Sequence, residues 1–177
     1  MTFPDTIESE RLTLRRPRLS DAGPITLYVG DKRVAETLTS VPHPYPPGAA
    51  EAFINRCLSD VSREHVWVMD ALKIDGPEFI GAISLKTKDG GHELGYWVGP
   101  PFWNTGYASE AAAAVVGMAK AAGASVTAEI VEANEASAHV LLNAGFREEG
   151  RAEVFSVALG AMAPMRCFRL AAAGAEA

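Results

Sequence analysis

The run "VGPPFWNTGYA", from Val98 to Ala108, holds residues in an order suited to binding an anion. A strand-like pattern stops at Val98 or Gly99, Pro100 and Pro101 break it, and Gly106 stands just before an alanine-rich helical pattern. The first N–H groups of a helix have no partner inside it, and the helix dipole adds roughly half a positive charge at that end. Glycine lets the main chain approach a ligand closely and adopt a positive φ. Such a loop can hold a phosphate without lysine or arginine. It is not a Walker loop, since no Gly-Lys-Ser/Thr follows, and it lacks the Gly-x-Gly-x-x-Gly of dinucleotide folds. The same residues also make an ordinary strand-to-helix turn, so the loop alone leaves both readings open.

Other reactive side chains are dispersed. Asn134 precedes the helical pattern "EASAHVLLN", where it reads as an N-cap with Ser137 in the first turn. Glu93 opens the strand pattern "ELGYWV", and alternation sends His92 to the opposite face. His43 lies in a proline-rich loop, a setting that suits either a surface histidine or a group beside a substrate. Cys57 and Cys167 have apolar neighbours, no Cys-x-x-Cys spacing and no histidine close by in sequence. A disulfide framework, a metal site and a covalent cysteine nucleophile are therefore unsupported, and a reducing cytoplasm suits these thiols.

These residues need a scaffold, and the patterning supplies one. "RLTLRRPRL" alternates Leu12 and Leu14 with polar residues as a strand does, and Ser20 or Asp21 then offers a helix cap. A short helical stretch around "DKRVAETL" is followed by "SVPHPYPPGAA", whose four prolines exclude regular structure. "GAAEAFINRCLSDVSRE" resumes helical spacing through Phe53, Ile54, Cys57, Leu58 and Val61. "HVWVMDALK", "EFIGAISLK" and "HELGYWVG", separated by turn residues, predict an antiparallel meander. Helix, strand "SVTAEIV", helix and two closing strands come next, and a helix between strands implies a right-handed crossover and a parallel pair. Trp67, Met69, Phe79 and Ile83 read as core, whereas Tyr28, Tyr45 and Trp97 could line a substrate side.

With 177 residues, 48% hydrophobic and 21% charged, the chain fits one domain over residues 1–170, followed by a flexible tail over 171–177. No apolar run is long enough for a membrane span, and the start "MTFPDTIESERL" lacks the basic patch and apolar core of a signal peptide. The net charge of −6 opposes broad attraction to nucleic acid or anionic lipid. The basic run "RLTLRRPR" is read as a strand with a solvated face.

Three segments, "SERLTLRRPRLSDA", "ELGYWVGPPFWNTGYASEA" and "NEASAHVLLNAGFREEG", occur in the order and spacing of the GNAT superfamily of acyl-CoA-dependent N-acyltransferases. Over nearly its whole length the chain resembles the branch containing the ribosomal-protein acetyltransferases RimJ and RimL. The resemblance implies a mixed α/β fold: a mostly antiparallel sheet of about seven strands, splayed in the middle and flanked by about four helices. The family's pyrophosphate loop, Gln/Arg-x-x-Gly-x-Gly/Ala, aligns with Trp103, Asn104, Thr105, Gly106, Tyr107 and Ala108, so that Trp103 departs from Gln or Arg. The resemblance further implies that main-chain groups of Tyr96, Trp97 and Val98 pair with the pantetheine arm of acetyl-CoA. It assigns Asn134 to that arm and Ser137 to the vicinity of the sulfur. Positions often held by Glu and Lys in the family are Leu142 and Asn143 here.

The reaction so implied is transfer of an acetyl group to a primary amine, on a protein N-terminus or a small molecule, by direct attack in a ternary complex without metal. An α-amine, with a pKa of about 7.7–8.0, is partly neutral already, whereas a lysine near about 10.4 needs a base. Glu93 is the candidate base and equally reads as a solvated strand-end charge. The N–H of Val98 is the candidate oxyanion donor and Ser137 the candidate partner of the leaving thiolate. The acidic chain favours a cationic acceptor, and a homodimer is left open. A competing expectation is a non-catalytic acyl-CoA sensor, because fold does not fix function.

Overall fold

The computed structural model describes residues 3–59, 62–88 and 90–170. The anticipated tail over 171–177 and Val61 of the third helical pattern lie outside the described residues. Among the described residues there are eight strands and five α-helices, one strand and one helix more than the family pattern implied. The strands are β1 (Thr6–Glu8), β2 (Thr13–Arg15), β3 (Glu64–Asp70), β4 (Gly81–Lys88), β5 (Gly91–Val98), β6 (Val126–Val131), β7 (Phe146–Ser156) and β8 (Ala161–Leu170). The helices are α1 (Ala22–Val29), α2 (Lys32–Ala35), α3 (Ala49–Leu58), α4 (Tyr107–Ala121) and α5 (Glu135–Asn143). The extra strand is the three-residue β1, too short to leave a pattern, and α2 is one turn of four residues.

All strands form one sheet in the order β1-β2-β3-β4-β5-β6-β8-β7. Every neighbouring pair is antiparallel except β5 and β6, which α4 joins by the expected crossover. That parallel pair is brief: its register runs through His92↔Val126 and stops at Glu93↔Thr127. Beyond that point β5 stays paired with β4 as far as Val98, and β6 stays paired with β8 as far as Val131. The sheet therefore opens between Leu94–Val98 and 128–131, and each lip of the opening is fixed by its outer neighbour.

The two faces carry separate cores. On one, Leu12, Leu14, Trp67, Ile83, Leu94 and Val98 pack against Ala111, Ala112, Val115 and Ala119 of α4 and Leu141 of α5. Ala111, Ala112 and Ala119 are completely buried, so the alanine content of α4 reflects close approach of that helix to the sheet together with high helix propensity. On the other face Val68 and Phe79 meet Ile25, Val29, Ala50 and Ile54 from α1 and α3, with Tyr28, Tyr45 and Trp97 at the margin.

The basic run in β2 differs from its expected solvated face. Arg15 is 5% exposed, and its guanidinium is bonded to Asp21 at 2.9 and 3.0 Å and to Asp70 at 2.9 Å. Asp21 thereby leaves α1 without a side-chain cap and instead joins β2 to the turn before α1, while Asp70 carries the link to β3.

Candidate active site

Main-chain parity decides what faces the opening in the sheet. The N–H of Gly99 donates to the carbonyl of Ile80 at 2.8 Å, so antiparallel alternation turns the main chain of Trp97 toward Ala82 of β4. A Cβ on Gly81 would overlap the carbonyl oxygen of Trp97, which agrees with that direction and explains the glycine. Of the three β5 residues singled out in the sequence, Tyr96 and Val98 thus turn their N–H and C=O groups to the gap. The Val98 carbonyl is then taken by the indole N–H of Trp103 at 2.7 Å, which leaves the Val98 N–H. The Trp97 side chain lies on the α1/α3 face, its ring 5.8 Å from that of Phe79.

At the end of β5, a 3₁₀ turn over Pro100–Phe102 leads into a loop where Asn104 and Gly106 both have positive φ, 60° and 83°. Gly106 is the N-cap of α4 and offers no side chain, so the first N–H groups of that helix lack a side-chain acceptor. Glu110, in the first turn, would oppose an anion there, but its carboxylate is turned away. It accepts from the Arg11 main-chain N–H at 2.6 Å, Arg11 Nε at 2.7 Å and Ser9 Oγ at 2.7 Å. Arg11 also donates to the carbonyl of Thr105 at 3.0 Å and lies 4.6 Å from the centre of the Tyr107 ring. Burial pushes the Glu110 carboxyl upward, and the bonds from Arg11 and Ser9 more than offset it, holding the pKa below the usual carboxylate value.

Across the gap, Asn134 caps α5 by accepting from the N–H of Ser137 at 3.1 Å. Tyr96 Oη stands 2.7 Å from Ser137 Oγ and donates to the Ser137 carbonyl at 3.0 Å. Burial pushes the Tyr96 phenol up to about 12 against the opposing hydrogen bond from Ser137, so it stays protonated at neutral pH. A phenol with one proton and two acceptors in reach can turn that proton to Ser137 Oγ, which frees the serine proton for a third group.

These parts enclose a cleft of about 470 Å³. Tyr96, Trp97 and Val98 line it from β5, and Trp103, Asn104 and Gly106 from the loop. Tyr107 and Ala108 line it from α4, and Asn134 and Ser137 from the start of α5. Thr105 is exposed and does not line the cleft, and its hydroxyl donates to the Phe102 carbonyl. Glu93 is not among the lining residues. It stands where the β5–β6 ladder ends, on the face opposite Tyr96, and forms an ion pair with Lys88. His92 points the other way, its ring 5.0 Å from that of Phe3, and His43 is exposed. Cys57 is buried, which pushes its thiol up to about 11, and Cys167 is half-buried.

Sequence reasoning missed Arg33, Val34 and Thr37 of the α2 region, and His139 and Val140 of α5, all of which line the cleft. The α5 pair was legible in principle, because Ala136, His139 and Val140 follow i, i+3, i+4 spacing. No local pattern marks the α2 residues.

The profile of the acetyltransferase (GNAT) domain matches residues 11–147, which contain the loop, the gap and both of its lips. The chain belongs to the GNAT acetyltransferase family. A relative from Bacillus licheniformis, the uncharacterized N-acetyltransferase p20, is 26% identical over 94% of this chain and 96% of its own. Two solved acetyltransferase structures share the fold at low identity. A GNAT-family acetyltransferase from Bacillus anthracis superposes with a TM-score of 0.79 at 20% identity, covering 93% of this chain and 97% of its own. RimL, the ribosomal L7/L12 α-N-protein acetyltransferase, solved with coenzyme A, gives 0.78 at 17% identity over 94% of this chain and 98% of its own. Among the described residues of this GNAT chain, no group of three or more His, Cys, Asp or Glu side chains could hold a metal, and no helix is long and apolar enough to cross a membrane.

Proposed function

We propose that the protein transfers an acetyl group from acetyl-CoA to a primary amine, by direct attack in a ternary complex. The observation that carries this reading is the junction of an uncapped α4 N-terminus with a fixed opening in the sheet, lined on one side by Tyr96 and Val98 and on the other by Asn134 and Ser137. The residues fit such a donor. The loop from Asn104 to Ala108 offers main-chain N–H groups to a pyrophosphate, and the free N–H and C=O of Tyr96 suit an amide of a pantetheine arm, while the Val98 N–H stays available to the thioester. RimL, the neighbour solved with coenzyme A, is named for a protein α-amine. The donor, when bound, supplies an activated acyl carbon.

The chain's own residues then have definable tasks. The Val98 N–H stabilises the oxyanion, and Ser137, supported by the neutral phenol of Tyr96, gives a proton or hydrogen bond to the departing thiolate. Glu93 draws a proton from the attacking amine, through water, from the face opposite Tyr96. A cytoplasmic setting suits the two free thiols.

The test is release of CoA from acetyl-CoA across a panel of small amines and N-terminal peptides, for the parent, Glu93→Gln and Ser137→Ala. Release should require an amine, and each variant should lower kcat about 100-fold on a good acceptor. Full turnover by both variants would remove these two assignments. Tight CoA binding with no amine-dependent release would favour the sensor.

A further inference from the structure

Trp103 stands where the family pattern has Gln or Arg, and it cannot offer a cation. Its indole N–H is spent on the Val98 carbonyl, so the ring is anchored across the mouth of the cleft. Arg33, from α2, places its guanidinium carbon 5.2 Å from the centre of that ring. Among the described residues, Arg33 is the one lysine or arginine that lines the cleft. Arg11 lies behind the same loop, but its guanidinium is committed to Glu110 and Thr105.

The Arg33 side chain is held in place yet retains donors. Asp31 accepts from Nε at 3.0 Å and from Nη2 at 2.7 Å, while Nη1 has no hydrogen bond to a described residue. Asp31 also accepts from the Arg33 main-chain N–H at 2.9 Å, which fixes the carboxylate at the start of α2. Arginine combines stacking on an aromatic face with fork-like donation to phosphate oxygens, which lysine cannot reproduce. In a chain of net charge −6, a diphosphate at Gly106 would otherwise meet main-chain N–H groups on one side alone.

On the acetyl-CoA reading of the cleft, we propose that Arg33, seated on Trp103 and steadied by Asp31, is the cationic contact for the donor's pyrophosphate. A side chain from α2 thereby supplies what position 103 of the loop does not.

The test is calorimetric titration of the parent, Arg33→Gln and Arg33→Lys with CoA, dephospho-CoA and pantetheine. Arg33→Gln should weaken CoA and dephospho-CoA alike by about tenfold, as expected for loss of one charge-assisted contact, and leave pantetheine unchanged. Arg33→Lys should fall between parent and Arg33→Gln. Equal weakening toward all three ligands would indicate a structural role and overturn the proposal, as would an effect confined to CoA, which would place the contact on the 3′-phosphate. A parent that binds CoA while Arg33→Gln binds equally well removes this inference alone. A parent that does not bind CoA removes the acetyl-CoA reading and the inference with it.

Discussion

Arg11 and Arg15 stand four residues apart in one short basic run, and their ion pairs have opposite physical characters. Arg15 is enclosed, its side chain 6% exposed, with Asp21 and Asp70 at 3% and 8%. Arg11 is 35% exposed and its partner Glu110 15%. The first network ties β2, β3 and the approach to α1 together and touches no part of the cleft. The second joins the β1–β2 turn to the first turn of α4 and holds the carbonyl just before Gly106. Burial determines whether such a pair is a requirement of folding or an adjustment of a site: a desolvated charge cannot lose its partner without becoming an isolated buried ion, whereas a rim charge regains water.

The largest effect separating the two should come from Arg15→Ala, which strands two buried aspartates. It should destabilise the fold by roughly 3–5 kcal/mol in urea unfolding. A loss of less than about 1 kcal/mol would put Arg15 in the same class as a surface pair and erase the contrast. Glu110→Gln should reverse the emphasis. Its stability loss should stay near about 1 kcal/mol, while calorimetric affinity for CoA falls severalfold because the loop before α4 is no longer held from behind. Unchanged CoA affinity would sever the Arg11–Glu110 pair from the site.

The smallest effect is in acid. The Glu110 carboxyl is held below its ordinary value in the folded chain, so its contribution is complete above the unfolded pKa of about 4.3. It is lost as pH falls through the lower folded value. Melting temperature measured down to about pH 3 should therefore fall less steeply in Glu110→Gln than in the parent. Parallel curves for the two proteins would show that the pair does not respond to acid.

Much of the scaffold was legible because it rests on local rules. The β3–β4–β5 meander follows from alternation and turn residues, the parallel β5–β6 pair from the helix between them, and the core positions Trp67, Met69 and Ile83 from strand periodicity, whereas Phe79 is buried from the segment before β4 on the opposite face. The same rules failed for Arg15 and Asp21, because a charged residue on an alternating strand reads as solvated unless its partners, one of them 55 residues away in Asp70, are known. In the cleft, the Trp103 to Ala108 loop was visible through Gly106 and the helix behind it. Arg33 was not, since its place depends on how α2 folds across the β5 end. The engagement of the Val98 carbonyl by Trp103, and the turning of Trp97 to β4, depend on main-chain parity that residue types do not encode.

The opening between β5 and β6 has a consequence for the chain before any ligand arrives. Strand edges normally occur at the margin of a sheet, where charge, proline or twist discourages other chains from pairing with them. Here two edges lie at the centre of the sheet, held apart by β4 and β8, so neither can satisfy itself by closing. The groups left unpaired on the two lips suit an extended molecule that carries its own amide groups. That hydrogen-bonding demand is set when the chain folds, because the outer pairings of β5 and β6 are part of the sheet itself.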